Sequence, residues 1–238
     1  MPRLDVVLTK NGLIESRQRA QALILAGKVR VAGETERRPD RSVREDDVIT
    51  VDETPGFASR GALKLGPALD RFHVDPAGRV CADIGASTGG FTDVLLRRGA
   101  AKVFSIDVGR GLIHWRLRQD PRVVVIERVN ARDLEAFPEP VSLIVIDVSF
   151  ISLEKVLPAM RRAGPEAEVV ALFKPQFEVG KAEVGKGGIV RDPIALEAAL
   201  QRFHNWCWGN GYEVVAEAAS EITGAQGNQE YFLYLEPA

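Results

Sequence analysis

Apolar residues recur at two different periods along this chain, and the change of period divides it. Near the start, Leu4, Val7 and Leu8 fall at i, i+3 and i+4 and predict a short amphipathic helix over residues 3–10, ended by Asn11-Gly12. Ser16 is placed to cap a second helix over residues 17–26, with Ala22, Leu25 and Ala26 on one face and Gly27 ending it. Lys28-Val29-Arg30-Val31 then alternates basic and apolar, which predicts a strand with both valines inward. Ala32-Gly33-Glu34 reads as a turn, and Val43, Val48, Ile49 and Val51 as a second strand region. Asp52-Glu53-Thr54-Pro55-Gly56 is polar with a Pro-Gly turn, the composition of a linker.

Beyond the linker the apolar runs lengthen. A helix opens after Ser59-Arg60-Gly61, with Leu65, Leu69 and Phe72 in one row and Lys64 beside it. Five runs, 79–84, 101–107, 123–128, 141–146 and 168–173, are short and mostly apolar, as strands buried on both faces are. Helical stretches lie between them, the arrangement of a parallel sheet with crossover helices. Two more strands, 212–216 and 231–235, stand too close for a crossover and predict an antiparallel pair at the sheet edge.

Composition narrows the class. With 238 residues, 45% hydrophobic and 27% charged, the chain can bury an ordinary core and is not a disordered polymer. It has no run of about 18 apolar residues and no signal-peptide core, so stable membrane insertion is not expected. Cys81 and Cys207 stand far apart in a chain with its own core, which points to a reducing, cytoplasmic setting. The three His and two Cys show no metal-ligand spacing, so no metal is required. Charge is uneven. Residues 1–44 hold ten Lys/Arg against five Asp/Glu, while the remainder is acidic, for a net −2 overall. A basic head on an acidic body fits a module aimed at a polyanion, with Arg17, Arg19, Lys28 and Arg30 as its phosphate contacts.

Chemistry gathers at the strand ends. Asp83-Ile84 runs into Gly85-Ala86-Ser87-Thr88-Gly89-Gly90 and a helix, which brings a ligand up to bare backbone amides. The GxxxGG spacing is neither the dinucleotide fingerprint nor a phosphate loop. The next strand ends in Asp107, 24 residues after Asp83, where an acid can accept from both ribose hydroxyls of an adenosine, and Asn130 could sit near the base. A glycine loop with a ribose acid and no phosphate-binding lysine fits S-adenosylmethionine. Asp147, Lys174 and Glu230 mark other strand ends, and Lys64 can reach the same mouth. Two lysines can favour an alkoxide or take its proton, and two acids would fix them and keep the cleft near neutral.

Two resemblances sharpen these expectations. Arg3-Leu4-Asp5, Ser16-Arg17-Gln18-Arg19-Ala20 and residues 24–33 (ILAGKVRVAG) resemble the S4-type RNA-binding domain. That implies a small α+β module that binds structured RNA and adds Arg3 to its cations. The runs 59–65 (SRGALKL), 83–91, 147–153 (DVSFISL), 174–181 (KPQFEVGK), 184–193 (VGKGGIVRDP) and 227–231 (GNQEY) resemble the TlyA family of FtsJ-like methyltransferases. The segment 111–115 departs from that family's pattern at Leu112 and Ile113. The resemblance implies an α/β chain: a class I, Rossmann-like methyltransferase sheet at 61–238, an S4-type domain at 1–52 and a linker at 53–60. It implies 2′-O-methylation of ribosomal RNA cytidines by a Lys-Asp-Lys-Glu tetrad whose positions fall on Lys64, Asp147, Lys174 and Glu230. Asp83, Gly85, Ser87, Gly89 and Asp107 would bind S-adenosylmethionine. The ribosomal partner is expected to be the large subunit, since compact members of the family are associated with its RNA. Lys181, Lys186 and Arg191, in a glycine-rich loop, could clamp the substrate backbone. Competing readings are a ribosome assembly factor that binds RNA without methyl transfer, a membrane-active haemolysin (a label this family often carries) and a nicotinamide oxidoreductase, which the missing dinucleotide fingerprint disfavours.

Overall fold

The structure, a computed structural model, describes residues 2–10, 14, 16–44, 47–51, 57–224 and 226–238, and not the side chains of Thr50 and Lys181. The predicted turn at Asn11-Gly12 and linker at 52–56 lie outside the described residues. The chain divides into two units, Met1–Phe57 and Ala58–Ala238.

In the first unit, helices α1 (Leu4–Lys10) and α2 (Arg17–Leu25) pack together beside strands β1 (Val29–Val31), β2 (Glu34–Glu36) and β3 (Ile49–Val51). The order β2-β1-β3 is antiparallel throughout, and Val29 and Val31 point into the core as alternation predicts. Ser16 caps α2, accepting a hydrogen bond from the Arg19 amide. The buried face of α2 is Ala20, Leu23 and Ile24, not Ala22, Leu25 and Ala26. The reason is polar. Arg17 and Gln21, one turn apart, both donate to Asp5, which has no exposed surface, and this turns their side of the helix inward. Strand β3 takes up only part of the apolar region expected there: Val43 is buried outside it and Val48 is exposed.

The second unit is built on a seven-stranded sheet: β4 (Val80–Ile84), β5 (Lys102–Asp107), β6 (Val123–Glu127), β7 (Leu143–Ile146), β8 (Glu168–Phe173), β9 (Tyr212–Ala219) and β10 (Tyr231–Pro237). Their order is β6-β5-β4-β7-β8-β10-β9. The first five are parallel, while β10 runs antiparallel to both neighbours and leaves β9 at the edge. The helices are α3 (Ala62–Phe72), α4 (Gly90–Arg97), α5 (Trp115–Arg118), α6 (Leu157–Ala163), α7 (Pro175–Glu178) and α8 (Pro193–Gly209). Leu157 and Met160 of α6, with Leu200, Phe203 and Cys207 of α8, close one face of the sheet. On α3, Leu65, Leu69 and Phe72 are buried as their row predicts, and Phe72 stacks on Tyr234 of β10. Ala58, expected in the linker, is buried, and its amide donates to Asp93 of α4. The carboxyl ends of β4, β5, β7 and β8 thus open on one side, with the start of β10 antiparallel beside them.

Candidate functional site

Strand β4 delivers Asp83 and then turns at Gly85. Gly85 holds φ +81°, and a Cβ there would stand 2.4 Å from the Asp147 carbonyl oxygen, so only glycine lets the two strand ends come this close. Two cavities meet at this turn, sharing Gly85, Ser87 and Asp147 in their walls. One, of about 250 Å³, is bounded by the glycine loop, Asp83 and Lys64. The other, of about 410 Å³, has Asp107 and Asn130 among apolar walls that include Val108, Leu112, Val148 and Ile151.

Asp83 is fully buried. One carboxylate oxygen, Oδ2, accepts from the Thr92 amide and hydroxyl, while Oδ1 has no hydrogen-bond partner among the described residues. Burial pushes its pKa up to about 7 against the hydrogen bonds from Thr92, and Asp147 and Asp107 add repulsion. Asp107 accepts from the Ser87 amide at 2.8 Å and the Gly109 amide at 2.6 Å, one on each oxygen. Lone pairs remain on both for further donors. Asn130 accepts from the amide and Nε of Arg132, so its carbonyl oxygen serves the local turn as well as the cavity wall. Gly89 starts α4 with a positive φ of 95°.

The four residues expected to share a mouth form two ion pairs. Lys64 Nζ lies 2.5 Å from Glu230 Oε2, and Lys174 Nζ lies 2.5 Å from Asp147 Oδ1. Lys64 and Asp147 line the smaller cavity, and each has its partner behind it. Register brings Glu230 in: Tyr231 of β10 pairs with Phe173 of β8, so the preceding residue arrives beside Lys174 at the strand end. Lys174 also donates to Ser149 Oγ at 2.9 Å, a partner that residue type and spacing gave no means of singling out. A second such residue is Glu178. It accepts from the Leu153 amide at 2.8 Å and ties the segment after β7 to the one after β8. Its burial pushes the carboxyl up to about 7 against the hydrogen bonds from Leu153 and Ser152.

The model of the FtsJ-like methyltransferases matches residues 57–236, and that of the S4 domain matches residues 2–49. The chain belongs to the FtsJ-like methyltransferase family. Among relatives of this methyltransferase, the 16S/23S rRNA (cytidine-2′-O)-methyltransferase TlyA of Mycobacterium tuberculosis is 49% identical over 98% of this chain and 89% of that protein. Hemolysin A of Brachyspira hyodysenteriae is 42% identical over 98% of each chain. A solved structure from Streptococcus thermophilus, named as a candidate hemolysin, superposes with a TM-score of 0.78 at 40% identity, covering 99% of this chain and 88% of that one.

The expected RNA contacts of this methyltransferase fall into two groups. Arg3 and Arg17 donate to the buried Asp5 carboxylate together with Gln21. Burial alone would raise the Asp5 pKa, but these hydrogen bonds outweigh it and hold the group well below the usual carboxylate range. Both arginines therefore build the first unit before they meet anything outside it. Lys28 and Arg30 are exposed and Arg19 is half-buried. In the second unit Lys186 and Arg191 are exposed, while the Lys181 side chain lies outside the described residues. Among the described residues there is no group of three metal-ligating side chains, and no helix is long and apolar enough to cross a membrane. Cys81 and Cys207 are buried and unlinked, and burial raises both thiols to about 12.

Proposed function

We propose that this chain transfers a methyl group from S-adenosylmethionine to the 2′-hydroxyl of a cytidine in ribosomal RNA, and so works in the cytoplasm. The observation that carries the reading is the pairing of two lysines with two carboxylates at a cavity walled by the glycine turn. Family membership and the names of the relatives agree with it.

The residues present fit the cofactor. The unpartnered Oδ1 of Asp83 is a buried acceptor at the cavity that awaits a donor. Gly85, where a Cβ would collide with the Asp147 backbone, lets the two strand ends close together beneath both cavities. Asp107 offers oxygens suited to ribose hydroxyls, and Asn130, Leu112 and Ile151 wall the larger cavity at the size of a nucleoside base. S-adenosylmethionine, when bound, supplies an electrophilic methyl on a sulfonium. The protein's own part is to present an oxygen to it. Lys64 and Lys174 are held by their carboxylates, so each Nζ is fixed in direction before substrate arrives. An ammonium Nζ donates to the acceptor oxygen as negative charge builds there, and an Nζ that has passed its own proton to its paired carboxylate receives the hydroxyl proton. The exposed cations Lys28, Arg30, Lys186 and Arg191 supply phosphate contacts.

The test is incorporation of tritiated methyl into purified ribosomal subunits from cells lacking this gene, the large subunit first. The expected product is a ribose-methylated cytidine. Lys174→Ala should abolish incorporation while RNA binding persists, and incorporation at the wild-type rate would remove Lys174 from the mechanism.

A further inference from the structure

The turn that carries Lys186 and Arg191 is fastened to the turn that delivers Glu230 through one buried side chain. Asn228 is 2% exposed. Its Oδ1 accepts from the Val190 amide at 2.9 Å, and its Nδ2 donates to the Gly188 carbonyl at 2.7 Å. Between these two bonds the chain closes on itself: the Gly185 amide donates to Ile189, and the Gly188 amide donates to Gly185. Gly187 and Gly188 hold φ of +79° and +76°, and a Cβ on Gly188 would meet the Gln226 side chain at 2.5 Å. The other side of the fastening is equally tight. The Asn228 carbonyl accepts from the Gly224 amide, and a Cβ on Gly224 would stand 2.5 Å from Glu230 Oε1. Two residues after Asn228 comes Glu230 itself, bound to Lys64.

We propose that Asn228 is a positioning residue that couples substrate contact at the Lys186–Arg191 turn to the Glu230–Lys64 pair. This rests on the RNA methyltransferase reading above and deepens it. A carboxamide carries its donor and its acceptor on separate atoms, so it satisfies a backbone donor and a backbone acceptor at once. The basic turn therefore cannot shift without the Glu230 turn shifting with it, and a phosphate seated on Lys186 and Arg191 fixes the carboxylate that aims Lys64. Neither Lys186 nor Arg191 needs to reach the reacting atoms.

Asn228→Asp keeps the shape but replaces the donor to Gly188 with an acceptor facing a carbonyl. With ribosomal subunits lacking the methyl mark as substrate, the Michaelis constant for the subunits should rise roughly tenfold, the scale of one or two buried hydrogen bonds. Cofactor affinity should not change. The decisive readout is a double-mutant cycle with Lys186→Ala/Arg191→Ala. In the wild-type background the pair should lower kcat as well as raise the Michaelis constant, and in the Asn228→Asp background its effect on kcat should vanish. Additive effects in the two backgrounds, or an unchanged Michaelis constant in Asn228→Asp, would overturn the coupling. Asn228→Ala, which buries no new charge, replaces Asn228→Asp if the latter fails to fold. Absence of methyl transfer by the wild-type chain would instead overturn the underlying reading, and the coupling with it.

Discussion

The close approach at Gly85 gives a sharp prediction. An alanine there must adopt a positive φ, which costs a non-glycine residue about 1–2 kcal/mol. Its Cβ would also sit 2.4 Å from the Asp147 carbonyl oxygen and 3.0 Å from the carbonyl carbon. Those are backbone atoms, so no flexible tip can swing aside. Nor can either strand end retreat freely, because the Gly85 amide donates to Ile106 and the Asp147 amide to Ile84. Overpacking of this kind costs about 1–3 kcal/mol. Together Gly85→Ala should destabilise the second unit by about 2–5 kcal/mol, or a melting temperature lower by roughly 4–20 °C for a unit this long. The displaced group is the backbone of Asp147, which holds Lys174, and it also borders both cavities. Calorimetric melting and titration with S-adenosylmethionine measure the two consequences separately. A melting temperature within about a degree of wild type, with cofactor affinity intact, would refute the packing argument.

Other consequences are tested more simply. Asp83 binds its extra proton in the folded state between the ordinary carboxylate range and about 7, so stability should fall as pH rises from about 4 to 7 and level off above. Asp83→Asn should reduce that slope by its own share, worth roughly 4 kcal/mol at most, in urea titrations at pH 5 and pH 8, leaving the part that Glu178 contributes. Asp107→Ala leaves the Ser87 and Gly109 amides without their acceptor and should weaken S-adenosylmethionine roughly tenfold to a hundredfold by calorimetry, with RNA binding unaffected. Lys28→Ala should weaken RNA binding and reduce its salt slope by about 1, without lowering the melting temperature. Arg17→Ala should lower the stability of the first unit, because it strips a donor from buried Asp5, and an unchanged melt would show that the arginine is dispensable to the fold.

What the chain's pattern could show depended on whether burial alone set the outcome. Leu143–Ile146 and, after Glu168, residues 169–173 are apolar on both faces because the sheet is covered on both faces, so the runs announce themselves. Strand β2, Glu34-Thr35-Glu36, contains no apolar residue, and it is a strand only because β1 offers it a hydrogen-bonded edge. On α2 two apolar faces compete at the same spacing, and the choice falls to Arg17 and Gln21 seeking Asp5. The site follows the same rule. Asp83, Gly85 and Asp107 sit where strand ends must place them, Glu230 was legible as a polar residue at a strand end, and Lys64, beside an apolar row, gained meaning only from the mouth it could reach. Ser149, Glu178 and Asn228 did not, since each acts by bonding a partner distant along the chain.

The charge asymmetry carries a further consequence. Among its described residues the first unit keeps two carboxylates inside, Asp5 and Glu36, and spends arginines on both. Burial would raise Glu36, but hydrogen bonds from Arg41 and the Arg38 and Arg37 amides hold it at about 2. Counting residues therefore misjudges which cations can meet a phosphate. The guanidinium of an arginine anchored on an interior carboxylate has a fixed direction, so it positions a backbone rather than following it, and its loss destabilises the platform as well as removing a contact. Lys28 is exposed just before β1, whose valines fill the core, so its removal changes charge and little else. A salt titration of RNA binding should separate the two kinds. Lys28→Ala shifts the slope at constant stability, and Arg17→Ala lowers affinity together with the melting temperature of the first unit.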